Sequence, residues 1–97
     1  MVRFDPFIVN LSGDQGRRYL RVILQVEVPN DEAKNAVTSH MPQLRDRLIF
    51  LLSSKKFSDI HSIDGKYQLR EEILRHLNEA LGKEIVKKVY FTEFIVQ

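Results

Sequence analysis

Val89, Tyr90, Phe91, Thr92, Glu93, Phe94, Ile95, Val96 and Gln97 form a run of β-branched and aromatic side chains. Such residues fit a pleated, half-buried surface better than a helix, so this segment must dock into a sheet. Its aromatic residues fall on both alternating sets, Phe91 on one and Tyr90 and Phe94 on the other. Strict alternation therefore predicts apolar surface on both faces of the strand.

The partners for that strand lie near the start of the chain. From Phe4 to Leu11 apolar residues also occupy both alternating sets, Phe4 and Ile8 against Phe7, Val9 and Leu11. Pro6 has no N–H to give to a ladder, so it belongs near the start of this strand or on a sheet edge. Ser12, Gly13, Asp14, Gln15 and Gly16 concentrate residues that tolerate positive φ, and a cleanly alternating run follows. Leu20, Val22, Leu24, Val26 and Val28 share one face, whereas Tyr19, Arg21, Ile23, Gln25 and Glu27 face water or a neighbour. The two runs form a hairpin.

Pro29 ends the second strand. Asn30 is placed to cap a helix whose first turn carries Asp31 and Glu32, both favourable at the positive end of the helix dipole. Ala33, Ala36 and Val37 give that helix a thin buried stripe. It ends near Met41, because the residue before Pro42 is pushed out of the α region, and Pro42 suits the first turn of a second helix. Leu44, Leu48, Leu51 and Leu52 make the inward stripe of that helix. Ile49 sits at its border, and Phe50 projects roughly 140° from its centre, beside Asp46 and Arg47. Ser53 to Ser58 breaks the periodicity, and Asp64 and Gly65 mark a turn into a third helix. There Leu69, Ile73, Leu74, Leu77, Ala80 and Leu81 form the stripe and Gly82 the stop. The last strand is expected from about Glu84.

The order strand, strand, helix, helix, helix, strand defines an α+β fold. Its last strand has to return to the hairpin, so the expected architecture is a small, mostly antiparallel sheet with about three helices on one face. Ninety-seven residues with 43% hydrophobic content match one domain spanning residues 1–97, with an expected radius of gyration of about 13 Å. Fifteen basic and thirteen acidic residues leave a formal charge of +2, too balanced to be an electrostatic footprint for nucleic acid. Cysteine is absent, which excludes disulfides and thiolate chemistry. The longest apolar run, Leu48 to Leu52, is far short of the roughly 20 residues that span a bilayer.

The residues that bear chemistry do not converge. His40, His61 and His76 lie in different segments and lack the close pairings of metal sites. His76 follows Glu72 by one helical turn, but Arg75 follows Glu71 by the same step, and a solvated face of charge pairs accounts for all four. No serine sits in a nucleophile elbow, and the Gly13 to Gly16 loop leads into a strand rather than a phosphate-binding helix. Gly65 and Lys66 at a helix start are better explained by a turn and a solvated lysine than by an anion site. Arg17 with Arg18, Lys55 with Lys56 and Lys87 with Lys88 are short pairs, and Tyr19 and Tyr90 beside them are candidates for base stacking only in a nucleic-acid-binding alternative. Neither cofactor nor catalytic residue is expected. Apolar surplus remains, in Ile49, Phe50, Tyr90, Phe91 and Phe94, and it favours self-association.

In order and spacing, the strand PFIVNL (6–11), the strand RRYLRVILQVEV (17–28), the helix start MPQLRDRLIFLLSSK (41–55), the segment DGKYQLREEIL (64–74) and the final VYFTEFIVQ (89–97) resemble FliL, a family of flagellar basal-body-associated proteins. The resemblance implies a periplasmic domain of stomatin and prohibitin type, held at the inner membrane by an upstream helix. It implies a ring around or beside the stator, MotA and MotB or their sodium-driven equivalents, that supports stator engagement under load. The candidate interface for the ring or the stator is Arg45, Asp46, Arg47, Ile49, Phe50, Tyr90 and Phe94. Under this reading the second helix meets a sheet edge or a third-helix face of the next subunit. A general stomatin-like membrane scaffold and a small basic nucleic-acid-binding domain are the alternatives.

Overall fold

In the computed structural model, which describes residues 1–97, Pro6 interrupts the first strand as its missing N–H requires. The two pieces, β1 (Val2–Arg3) and β2 (Phe7–Asn10), pair antiparallel with the same side of β3 (Tyr19–Glu27). Val2 lies opposite Val26, Phe4 N–H donates to the Leu24 carbonyl at 2.9 Å, and Phe7 lies opposite Val22. One extra residue is thus accommodated at Asp5 and Pro6, which makes a bulge. The bulge brings Phe4 onto the face of Phe7, Val9 and Leu11, and all four are buried. Ile8, which strict alternation grouped with Phe4, is left 63% exposed on the opposite face. Gly13 and Gly16 close the hairpin with φ of 82° and 72°, a region open to glycine without a Cβ clash.

β4 (Lys88–Val96) pairs antiparallel along the other side of β3, from Glu27 opposite Lys88 to Leu20 opposite Val96. β3 is therefore central. A second bulge lies in β4: Leu24 faces Phe91 and Ile23 faces Glu93, so Thr92 is the extra residue and its hydroxyl donates to the Ile23 carbonyl at 3.2 Å. This changes the reading of the aromatic residues. Phe91 and Phe94 both fall on the core side, opposite Leu24 and Val22, with ring centroids 5.1 Å apart. Only Tyr90 stays on the outer face. Deleting Thr92 is expected to leave cooperative folding intact, because the remaining residues then alternate without a bulge. A thermal melt by circular dichroism checks this, and loss of the cooperative transition would contradict the register.

The helices follow the expected order with one addition. In α1 (Asp31–Ser39) the Ala33 N–H donates to Asn30 Oδ1 at 2.8 Å, the expected cap. α2 (Met41–Ser53) carries Pro42 in its first turn and buries Leu44, Leu48, Leu51 and Leu52. The segment read as merely aperiodic holds a single helical turn, α3 (Phe57–Ile60), which buries Ile60. α4 (Ile63–Leu81) is capped by Ser62 Oγ and ends at Gly82, whose φ is 72°. Asp64 and Gly65 thus lie inside the first turn of a helix, not in a turn before it. Gly65 is required there by packing: a Cβ on it would collide with the Asp59 carbonyl oxygen of α3. The last strand begins at Lys88 rather than Glu84. Asn78 of α4 occupies the intervening backbone, donating to the Val86 carbonyl at 3.0 Å and accepting from its N–H at 2.8 Å.

α1, α2 and α4 lie against β1, β2 and β4 respectively, and α2 and α4 pack on each other. All cover one face of the sheet. Phe4, Phe7, the even-numbered residues of β3, the α2 leucines, Leu69, Ile73 and Leu77 form a single apolar cluster between the layers. The radius of gyration is 13.2 Å.

Candidate interaction surfaces

Two surfaces stand out. The first is the outward ridge of α2. Because Leu44, Leu48, Leu51 and Leu52 take the inward positions, Pro42, Asp46 and Phe50, one turn apart, line up on the outside. Phe50 is 71% exposed and Ile49 is 41% exposed. With Gln43, Arg47, His76 and Ala80, this ridge forms an open groove between α2 and α4. Arg47 closes the groove floor by donating to His76 Nδ1 at 3.0 Å and to Glu79 Oε2 at 2.6 Å. Asp46 takes part in no ion pair, so its charge is directed to solvent beside an unpartnered phenyl ring.

The second is the sheet face that the helices leave open. Across it the register aligns Ile8, Arg21 and Ile95 in one row, with Ile23 beside Glu93 in the next. Tyr19 hydroxyl donates to Gln97 Oε1 at 2.6 Å and Tyr90 hydroxyl to Glu27 Oε1 at 3.1 Å, so each ring is held against the sheet. Arg21 and Glu93 pair at 2.6 Å, both partly exposed. Lys88 lies opposite Glu27 at the end of the strand, exposed and in no ion pair.

The residues singled out in the sequence thus divide among three places. Asp46, Arg47, Ile49 and Phe50 share the α2 ridge. Arg45 points to the first bulge, where its guanidinium donates to the carbonyls of Asp5 and Pro6 at 2.7 and 3.0 Å and stacks 4.1 Å from the Phe7 ring centroid. It supplies donors to carbonyls that the broken strand leaves free of the ladder. Tyr90 stands on the open sheet face, and Phe94 on the core side beneath Lys66, whose ammonium lies 5.2 Å from its ring centroid. Ile8 and Ile95 were missed as surface residues because their placement depends on the two bulges and the register. Only Pro6 signalled either bulge.

Several of the remaining charges are committed within the domain. Lys55 pairs with Glu72 at 2.8 Å, Arg18 with Asp14 at 3.1 Å and over the Phe57 ring, and Lys66 donates to the His61 carbonyl at 2.8 Å. His76 is tied to Arg47, while Glu72, its helical neighbour, is tied to Lys55. Each of these pairs links two elements or closes one turn. The arrangement is that of a small α+β domain whose conspicuous free surface is apolar and suited to binding other macromolecules.

Comparison with known proteins gives that class a family. The model of the flagellar basal body-associated protein FliL matches residues 1–97, and the chain belongs to the FliL family. It is 38% identical over 98 residues to the flagellar protein FliL of Aquifex aeolicus, covering all of this chain and 61% of that relative. It is 29% identical over 90 residues to the flagellar FliL protein of Caulobacter vibrioides, covering 92% of this chain and 44% of the relative, and 27% identical over 96 residues to the Bacillus subtilis protein, covering 99% and 66%. The chain therefore spans between about two fifths and two thirds of these relatives.

Proposed function

We propose that this domain is a non-enzymatic accessory of the flagellar motor that self-associates into a ring around or beside the stator, MotA and MotB or their sodium-driven equivalents. On this reading it works at the periplasmic face of the inner membrane, held by an upstream membrane helix, and supports stator engagement under load. The observation that carries the reading is Phe50, a large aromatic side chain left 71% exposed on a helix whose four leucines are buried. Aromatic side chains bury roughly 150–250 Å² each and anchor interfaces when they find a pocket. Tethering in a membrane raises effective concentration, so a contact too weak to hold in solution suffices there.

Cells lacking the protein, compared with wild type in media of rising viscosity with labelled stator units counted at each motor, test the proposal. The expected result is a loss of stators and of swimming speed that grows with load. Unchanged speed and stator number at every viscosity would contradict it.

A further inference from the structure

The two edges of the sheet differ. On the β1–β2 side Pro6 lacks an N–H, Arg45 occupies the carbonyls of Asp5 and Pro6, and Ser12 N–H donates to the Lys55 carbonyl at 2.8 Å. Nothing closes the β4 side. The Phe4–Leu24 bond turns the even-numbered residues of β3 toward β1 and β2, and the reciprocal bonds of Tyr19 and Gln97 turn the odd-numbered ones toward β4. Val89, Phe91, Phe94 and Val96 stand opposite even-numbered residues, so they direct their N–H and C=O groups out of the sheet, where no other group bonds them. Beside that edge runs the flank of α4 turned away from α2, since His76 and Glu72 on the other flank bind Arg47 and Lys55. The flank holds Ile63, Lys66, Tyr67, Arg70 and Leu74, which recur at three- and four-residue steps. Ile63 is 71% exposed and Tyr67 55%. Lys66 reaches over Phe94, and Arg70 and Leu74 line a groove with Val89 and Tyr90.

We infer that this edge takes an extended, carboxylate-bearing segment of another protein, added as a strand beside β4 and lying along α4. An extended backbone answers the donors and acceptors that alternate along a strand edge, and the helix flank then meets every second side chain. Charge selects the segment. Lys66, Arg70 and Lys87 take part in no ion pair, and the two lysines donate only to the carbonyls of His61 and Glu84. Glu71 is the one carboxylate lining the groove, and Lys88 is discounted because Glu27 lies opposite it, so an excess of positive charge remains. Carboxylates paired there act at a rim, orienting the segment more than tightening it. Ile63, Tyr67 and Leu74 supply apolar contact. Thr92 splits the edge into two runs of two outward residues, too short for copies of the chain to zip along it and sufficient for a short segment. The site is separate from the α2 ridge and does not depend on the ring reading.

The probe is a short, end-blocked peptide with threonine at every second position and valine and glutamate taking turns between, titrated into this chain while backbone amides are followed by NMR. Saturable binding is expected, with hydrogen exchange slowed at Val89, Phe91, Phe94 and Val96. A counterpart carrying lysine for glutamate is expected to bind several-fold more weakly. Arg70→Glu is expected to weaken the glutamate peptide several-fold and to leave the thermal melt unchanged. N-methylation of one alternate set of peptide residues should abolish binding and of the other set spare it, because only one set faces β4. No saturable binding of the glutamate peptide, equal binding of its lysine counterpart, or tolerance of both methylated sets would overturn the inference. Edge amides already protected in the free chain and exposed on dilution would also overturn it, assigning the edge to a second copy. So would capture by phosphatidylglycerol vesicles that Arg70→Glu abolishes and the peptide does not compete, which would assign the cations to a lipid surface.

Discussion

Gly65→Ala is expected to destabilise the folded chain by about 3 kcal/mol, at the upper end of the usual cost of overpacking. Its sign is the reverse of the ordinary one, because alanine in a helix is favoured over glycine by about 1 kcal/mol. Gly65 lies in the first turn of α4, buried where that helix crosses α3. A methyl group there meets the Asp59 carbonyl oxygen and comes to 3.1 Å from Ser62 Oγ, the atom that caps the helix. The obstacle is backbone, so no rotamer change relieves it. α3 has to move, and with it Ile60, which is fully buried. The midpoint of thermal unfolding should fall on the order of 10 °C or more for a chain of this size. A melt unchanged or raised by the substitution would mean that α3 and α4 stand further apart.

Phe50→Asp should do the opposite, leaving the fold and removing the association. A side chain 71% exposed has little burial to lose, so stability is expected to stay within about 0.5 kcal/mol of wild type. Truncation of an anchoring aromatic residue at an interface commonly costs about 2 kcal/mol or more, roughly thirtyfold in affinity, and an added carboxylate also has to be desolvated. Sedimentation of the chain at high concentration, together with cross-linking of the full-length protein in membranes, reads the effect. Association equal to wild type would remove Phe50 from the interface. A collapse of the thermal melt would show that the residue supports the fold instead.

Most of the fold was legible because its signals are local. Alternation from Leu20 to Val28, Asn30 as a cap, Pro42 in a first turn and Gly82 as a stop each act within a few residues, and each appears as expected. What was not legible depends on contacts distant in sequence. Thr92 is a bulge residue only because Ile23 and Leu24 hold their register opposite it, and that bulge moves Phe94 from the outer face to the core side. Gly65 reads as a turn glycine until α3 is seen against it. Ile60 and Val86 enter the core from segments without periodicity, positioned by a one-turn helix and by the Asn78 side chain. The α2 ridge was legible, since Phe50 departs from an otherwise regular stripe. The open sheet face was legible only in β3, because its flanking strands acquire their outward residues through the bulges.

The most direct test combines Phe50→Asp in the full-length protein with stator counting and swimming speed in the same cells as viscosity rises. The account predicts normal amounts of folded protein, no oligomer ladder, and a load-dependent loss of stators and speed matching that of cells lacking the protein. A variant that remains monomeric yet keeps wild-type stator numbers and speed at every load, while the deletion does not, would contradict the claim that association through the α2 ridge is how this domain acts.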